Sequence, residues 1–367
     1  MRTQNPRRHF IATVGALVAA AATGRAFAAT EPDASAADAE PVVSGSLLPY
    51  LERDDVQAFL GEMASRHGFA PRELEDIFAQ VQFQAGVMKS VTRPHPTDKS
   101  WRTYRSVFLN NERLSGGEVF RRENAEALAR AASTYGVPEE IIVAIIGVET
   151  KYGRITGGYR VIDSLTTLAF DYPRRGRFFR GELEQFLLFV RELGDDALAM
   201  KGSFAGAMGL PQFMPSSYRR YAVDFDSDGR RDLFTPADAI GSVGNFLKEH
   251  GWVSGGPIAV PVQTEGEAWR TLVDGGIKPV RPLSTLAAAG VRWDSAAGAT
   301  QLPPDTDAVL IELETPDAPS AYWVGFRNFY ALTRYNQSSF YAIAVVELAN
   351  ALRNGGKTAG AALPRWI

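Results

Sequence analysis

Glu149 closes the most apolar helix-like run of the chain, Ile141-Ile-Val-Ala-Ile-Ile-Gly-Val-Glu-Thr-Lys-Tyr-Gly153. Helical spacing puts Ile142, Ile145 and Ile146 on the same face as Glu149. A carboxylate on an apolar face loses hydration, its charged form is disfavoured, and its pKa rises. A carboxylic acid still protonated near neutral pH serves as a general acid. Pro138-Glu139-Glu140 supplies a helix start and Gly153 a stop. The plainer reading of Glu149 is the polar end of a buried helix.

Two further stretches have residues suited to chemistry. Residues 202–218, Gly-Ser-Phe-Ala-Gly-Ala-Met-Gly-Leu-Pro-Gln-Phe-Met-Pro-Ser-Ser-Tyr, are dense in glycine and small side chains, which let a backbone turn sharply and approach a ligand. Within it Gln212 offers a donor and an acceptor and Ser203 a hydroxyl, groups that suit a sugar hydroxyl or an N-acetyl group. An ordinary interhelical loop is the alternative. Asp224, Asp226 and Asp228 then stand at positions one, three and five of a loop with an EF-hand pattern, Gly229 turns it at six, and Arg230 offers its carbonyl at seven. Thr235 replaces the usual glutamate at twelve, and Asp238 closes a longer loop instead. Oxygen-only carboxylate cages favour hard cations, so the expected ion is a structural Ca²⁺; a solvated acidic turn is the alternative.

Tyr104, Trp101, Trp323, Tyr335 and Tyr341 lie near predicted element ends, where aromatic faces either stack on sugar rings or fill a core. Arg174, Arg175, Arg177 and Arg180 form a basic cluster that suits an anionic polymer or a solvated helix start.

The elements that must position these residues are mostly helices. Apolar spacing predicts helices around residues 56–63, 71–78 and 118–135, over the Glu149 run, within 160–195 and over 338–352. From Gly251 to about Val324 the texture changes to short apolar runs broken by Gly, Pro and Asp. Pro257-Ile-Ala-Val-Pro-Val, Ala308-Val-Leu-Ile-Glu-Leu-Glu and Tyr322-Trp-Val-Gly-Phe read as strands. The expected architecture is α+β and mainly α, a helical protein with a small β-rich insertion.

The N-terminus reads as an export signal over 1–28. Arg2, Arg7 and Arg8 precede an apolar stretch too short for a membrane span, and Ala26-Phe27-Ala28 offers a cleavage site. Arg7-Arg8-His9-Phe10-Ile11 fits a twin-arginine signal, with the general secretory route as the alternative. Residues 29–46 read as a flexible leader. Removing the signal takes four arginines and no acidic residue, so the formal charge of −3 becomes −7, a balance unsuited to nucleic acid. With no cysteine, the chain has neither disulfides nor a site for a lipoprotein anchor. A monomeric periplasmic protein without a membrane anchor is expected.

Together these segments resemble the family of the membrane-bound lytic murein transglycosylase B. The matching stretches are Ile146-Gly-Val-Glu-Thr-Lys-Tyr-Gly-Arg154, Leu168-Ala-Phe-Asp-Tyr-Pro-Arg-Arg175, residues 202–218, Tyr221-Ala-Val-Asp-Phe-Asp-Ser-Asp-Gly229 and Thr333-Arg-Tyr-Asn-Gln-Ser338, in order within residues 80–355. The resemblance implies a lysozyme-like catalytic core over 121–252 containing the EF-hand-like loop, a helical domain over 47–120 joined by C-terminal helices near 330–356, a small β domain over 253–324, and a return to the core over 325–367. It implies cleavage of the β-1,4 bond between N-acetylmuramic acid and N-acetylglucosamine in peptidoglycan, leaving a 1,6-anhydromuramoyl end, with no catalytic cofactor. Carried over by position, Glu149 is the sole acid/base. Tyr104, Ser203, Gln212, Tyr335, Asn336 and Tyr341 are substrate contacts. Asp224, Asp226, Asp228, the Arg230 carbonyl and Asp238 match the calcium site. The partners implied are glycan strands; any cell-wall synthesis protein is unknown. Phe246 departs from the family, standing where some members have tyrosine.

Such chemistry needs one acid where an ordinary glycosidase needs two carboxylates. Glu149 would protonate the leaving oxygen, the substrate's N-acetyl carbonyl would support the anomeric centre, and the Glu149 carboxylate would then take the proton of the muramoyl 6-hydroxyl. The competing readings are a hydrolytic muramidase using Asp163 or Asp171 as base, and a non-catalytic calcium-dependent wall-binding protein.

Overall fold

The structure, a computed structural model, describes residues 48–92, 100–273, 276–293, 302–316 and 318–355. The expected export signal and leader lie outside the described residues. The chain forms two compact units, each built from separate stretches of sequence. Among the described residues one unit contains 100–155 and 221–355, and the other 48–92 and 156–220. Seven short strands occur among them: β1 (Tyr159–Arg160), β2 (Lys201–Gly202), β3 (Ala259–Thr264), β4 (Arg281–Pro282), β5 (Val291–Arg292), β6 (Asp307–Leu313) and β7 (Ala321–Gly325).

The first unit is organised around the helix Glu139–Thr150. Two glutamates in its first turn complement the positive end of the helix dipole. Every residue over 141–148 is buried, so this helix is enclosed on all sides rather than along one face. Its walls are the helices Asn111–Glu123, Ala125–Tyr135, Pro236–Glu249 and Ser339–Arg353. No single described helix is long and apolar enough to cross a membrane.

The single helix expected over 118–135 is two helices. Asn124 turns its side-chain amide onto the carbonyl of Phe120 at 2.8 Å and ends the first helix. Asparagine competes in this way for backbone acceptors. The helices Trp101–Phe108 and Arg327–Tyr335, which apolar spacing did not reveal, complete the surroundings of Glu149.

The expected strands form an antiparallel five-stranded sheet in the same unit, ordered β4-β6-β7-β3-β5. Val324 of β7 pairs with Val260 on one side and Leu310 on the other. Pro261 is tolerated in β3 because β5 pairs only with Gln263 and Thr264, so the missing N–H of the proline faces no neighbour there. Val260, Leu283, Leu286, Leu310, Val324 and Phe326 form the core beneath the sheet.

The second unit is helical. Val161–Asp171 packs along Gly176–Leu193 and against Ala85–Val91. Two buried carboxylates join its two stretches of sequence. Asp171 accepts from Arg53 at 2.7 Å and from the Tyr50 hydroxyl at 2.5 Å. Asp163 accepts from the Arg160 guanidinium, the Gln82 backbone and the Gln84 amide at 2.8–3.1 Å.

Candidate active site

Glu149 is the penultimate residue of its helix. It keeps some solvent-exposed surface, yet the enclosing apolar side chains disfavour its charged form, and burial pushes its pKa up to about 7. One hydrogen bond opposes that rise: the Tyr341 hydroxyl donates to Glu149 Oε1 at 2.8 Å. Tyr341 is 1% exposed and lies in the first turn of Ser339–Arg353, where its backbone N–H is capped by the Ser338 hydroxyl. A sequence separation of 192 residues is thus closed by one phenol.

Three tyrosines surround the acid. Burial raises the pKa of Tyr104, Tyr335 and Tyr341, and the nearby Glu149 charge raises each further. All three therefore remain neutral donors. The rings of Tyr335 and Tyr341 stack at 6.3 Å, and Phe246 meets Tyr335 edge-on at 4.8 Å. The phenylalanine at this position fills ring space and brings no hydroxyl. Tyr104 is held between Phe108 at 5.0 Å and Phe340 at 5.5 Å, and stacks on Trp101.

Several polar atoms here lack protein partners. The Tyr104 hydroxyl is buried without a hydrogen bond, and so are both the nitrogen and the oxygen of the Asn336 side-chain amide. Asn336 directly follows Tyr335 and is 3% exposed. Leaving buried donors and acceptors unpaired costs free energy, and a polar ligand would relieve that cost. The arrangement offers one protonated carboxylic acid, neutral phenols and an orphaned amide: groups for donating a proton and holding an uncharged polar molecule.

The structure brings Glu149, Tyr104, Tyr335 and Tyr341 together in the first unit, with Asn336 beside Tyr335. Ser203 and Gln212 belong to the second unit. There the loop after β2 turns back so that the Ala205 and Ala207 N–H groups donate to the Ser203 hydroxyl oxygen, at 3.3 and 3.0 Å. The serine keeps its own O–H to donate. Gln212 has a left-handed φ of 53° and donates from its amide to the carbonyls of Thr156 and Gly209. Both amide hydrogens are thereby engaged, and its side-chain oxygen faces no protein donor among the described residues.

In the acidic loop, carboxylate oxygens of Asp224, Asp226 and Asp238 lie within 4.8 Å of one another. Burial, followed by the nearby charge of Asp226, raises the pKa of Asp238. Its two oxygens accept from the backbone of Phe225 at 2.6 Å and Asp232 at 2.7 Å, which fixes them in place. Asp228 is outside this group of three, and its carboxylate accepts from the Arg230 N–H at 2.8 Å. A hard, oxygen-seeking cation fits the donor set of Asp224, Asp226 and Asp238.

Of the remaining candidates, Trp323 is buried in the sheet and Trp101 in the aromatic cluster. Arg175 lies over the Phe178 ring at 4.2 Å, while Arg174, Arg177 and Arg180 are exposed. Sequence reasoning missed Glu347, a largely buried carboxylate that pairs with Arg105 at 2.5 Å, beside Tyr104. The available signal was a lone acid in the otherwise apolar run Ala342-Ile-Ala-Val-Val-Glu-Leu-Ala.

The model of the family described as transglycosylase SLT domain matches residues 52–350. The chain is 43% identical over 312 residues to the membrane-bound lytic murein transglycosylase B of Escherichia coli (strain K12), covering 83% of this chain and 84% of that protein. It is similar to the crystal structure of the soluble lytic transglycosylase SltB1 of Pseudomonas aeruginosa, with 46% identity, a TM-score of 0.77, and coverage of 83% of this chain and 100% of that one. It is also similar to the lytic transglycosylase Slt35 of Escherichia coli in complex with calcium, with 43% identity, a TM-score of 0.74, and coverage of 83% and 94%.

Proposed function

Since the chain belongs to the transglycosylase SLT family and is therefore an enzyme of the lytic transglycosylase class, we propose that it cleaves the β-1,4 bond between N-acetylmuramic acid and N-acetylglucosamine in peptidoglycan, forming a 1,6-anhydromuramoyl end. The observation that carries this reading is the Glu149 carboxyl, enclosed by apolar side chains, pushed up to about 7 and hydrogen-bonded to Tyr341.

Glu149 acts first as an acid. Its proton goes to the glycosidic oxygen as the bond to the anomeric carbon breaks. The substrate's own acetamido carbonyl stabilises the positive charge there, which removes the need for a second enzyme carboxylate. The Glu149 carboxylate then takes the proton from the muramoyl 6-hydroxyl as that oxygen closes onto the anomeric carbon. The acid is regenerated and no water is consumed. A pKa near neutrality suits a group that must both give and retrieve a proton. The Tyr341 bond supports the carboxylate formed between the two steps. The family resemblance assigns Tyr104, Ser203, Gln212, Tyr335, Asn336 and Tyr341 to substrate contact. The unpartnered polar atoms of Tyr104 and Asn336, and the free O–H of Ser203, are consistent with that role.

Hydrolysis would need a base. Asp163 and Asp171, the acids considered for it, have their oxygens occupied by guanidinium, amide and hydroxyl donors within their own unit. The acidic loop holds a structural calcium ion in the proposed enzyme, with Asp224, Asp226 and Asp238 as the core ligands and Asp228 and the Arg230 carbonyl completing the set. Export to the periplasm by the N-terminal signal brings the enzyme to its polymer.

Mass analysis of the fragments released from purified sacculi tests the reaction. Transglycosylation gives non-reducing anhydro ends, while hydrolysis gives reducing ends one water heavier. Reducing ends as the main product would replace this reading with the muramidase. Sacculi bound and sedimented with no soluble fragment would replace it with a wall-binding protein.

A further inference from the structure

The helix Asn111–Glu123 carries two adjacent buried glycines, Gly116 and Gly117. Glycine weakens a helix interior, so a buried pair there calls for a spatial reason. That reason is Tyr152. A β-carbon at Gly116 would lie 2.9 Å from the Tyr152 ring, and one at Gly117 would lie 2.6 Å from its hydroxyl. A β-carbon at Gly147, on the Glu149 helix itself, would lie 2.5 Å from the same hydroxyl. Three glycines from two helices thus make a slot for one aromatic ring, and Phe120 packs beside it at 5.5 Å.

Tyr152 enters the slot at a conformational cost. Lys151 and Tyr152 have left-handed φ values of 50° and 62°, a region that side chains with a β-carbon rarely adopt. Such a backbone persists only where its surroundings over-determine it. Here the surroundings are Glu112 and Arg113. The Glu112 carboxylate pairs with the Lys151 ammonium at 2.8 Å, and the Tyr152 hydroxyl donates to the Arg113 carbonyl at 2.8 Å.

The Arg113 side chain supplies the third hold. It is 3% exposed, and among the described residues no carboxylate forms an ion pair with it. Its Nε donates to the Gly147 carbonyl at 3.1 Å, its Nη1 donates to the Val107 carbonyl, and its guanidinium lies 4.9 Å from the Phe108 ring centre. A buried guanidinium spent on two backbone carbonyls fixes the backbone it touches. Residues 147, 151 and 152, which bracket Glu149 on both sides, are all gripped by residues 112 and 113.

We propose that Arg113 and Tyr152 are positioning residues that lock the last turn of the Glu149 helix, so that the carboxyl is presented in one place for proton transfer. Neither group touches the acid. They act on the backbone that carries it, where helix ends otherwise fray. The inference rests on Glu149 being the catalytic acid.

The test uses the full chain and a soluble tetrasaccharide of alternating N-acetylglucosamine and N-acetylmuramic acid. Tyr152→Phe removes one oxygen, and Arg113→Lys keeps the charge but loses the fork that reaches two carbonyls. Each is expected to lower kcat by about tenfold to a hundredfold, since small misplacements of a reacting group cost that much. KM should stay within about twofold, because binding groups are untouched. The double variant should lose less than the product of the two single losses, as for residues acting through one element. Melting curves establish that each variant is folded at the assay temperature; if Arg113→Lys is not, Tyr152→Phe alone decides. A folded variant with wild-type kcat, or with a raised KM and unchanged kcat, overturns the proposal. Glu149→Gln is measured alongside. Turnover retained there overturns the acid itself, whereas turnover lost there with kcat unchanged in the other two overturns only the positioning role of Arg113 and Tyr152.

Discussion

In the proposed mechanism Glu149 gives up one proton and retrieves another, which works best when neither form is strongly preferred, and its enclosure sets that balance against stability. Between about pH 4.5 and about 7 the folded chain holds a proton on Glu149 that the unfolded chain releases. Below that window both states are protonated and the residue costs nothing. As pH rises through the window folded stability is lost, and above it the cost is complete, about 3 kcal/mol. Glu149→Gln is therefore expected to lower turnover by about 10²–10⁴-fold while making the protein more stable at pH 8 and no more stable at pH 4. Paired activity assays and urea titrations at the two pH values check this; a variant less stable at pH 8 would contradict the enclosure. Tyr341→Phe removes a bond that favours the carboxylate, so the Glu149 pKa should climb further. The alkaline fall in kcat/KM should then shift to higher pH, and an unmoved or acid-shifted profile would show that the bond does not tune the acid. The raised pKa of Glu149 was legible in the sequence because an acid at the end of an isoleucine run loses hydration, and that consequence is local. The Tyr341 bond and the orphaned Asn336 amide were not, since partners far apart in sequence leave no spacing to read.

The helices and strands that present these residues differ in how openly the sequence announces them. Pro71 and Pro236 sit in the first turns of their helices, where a missing N–H is harmless. Strands β3, β6 and β7 declare themselves through branched and aromatic residues between turn formers. The two-residue strands β1 and β2 carry no such pattern, because pairing of Tyr159 with Gly202 and Arg160 with Lys201 is decided by the backbone around them. Gly157 is part of that backbone. Its φ is 103°, and a β-carbon there would lie 2.0 Å from the Gly202 carbonyl oxygen. Gly157→Ala is expected to destabilise the protein by about 2 kcal/mol or more, since both the conformation and the contact forbid a side chain. A urea midpoint equal to that of the wild type would refute the close approach of this segment to the residue preceding Ser203.

At the scale of the whole chain, the DxDxDG spacing pointed to a cation while Asp238 entered as a substitute for the usual twelfth ligand. Asp238 comes to Asp224 and Asp226 because it begins the helix Pro236–Glu249, which returns to the loop. Added Ca²⁺ should raise the melting temperature, by about 2.7 kcal/mol of stabilisation at a hundredfold excess over Kd, and Asp226→Ala should abolish the rise. Identical melting curves with Ca²⁺ and with chelator would remove the ion from this account. The mainly helical architecture with a β-rich insertion was readable from composition and periodicity, but the interleaving of two units from four stretches of chain was not. The pairing of Glu149 with Tyr341 across 192 residues also bears on timing. Synthesis delivers the chain from its N-terminus, so the acid emerges long before the helix that walls it in. Until residues 339–353 arrive, the carboxyl lacks both its phenol and one side of its enclosure. In the mechanism proposed above, a chain that ends before residue 339 therefore lacks the setting its acid needs, and a wall-cutting enzyme completes that setting only when its own synthesis is nearly finished.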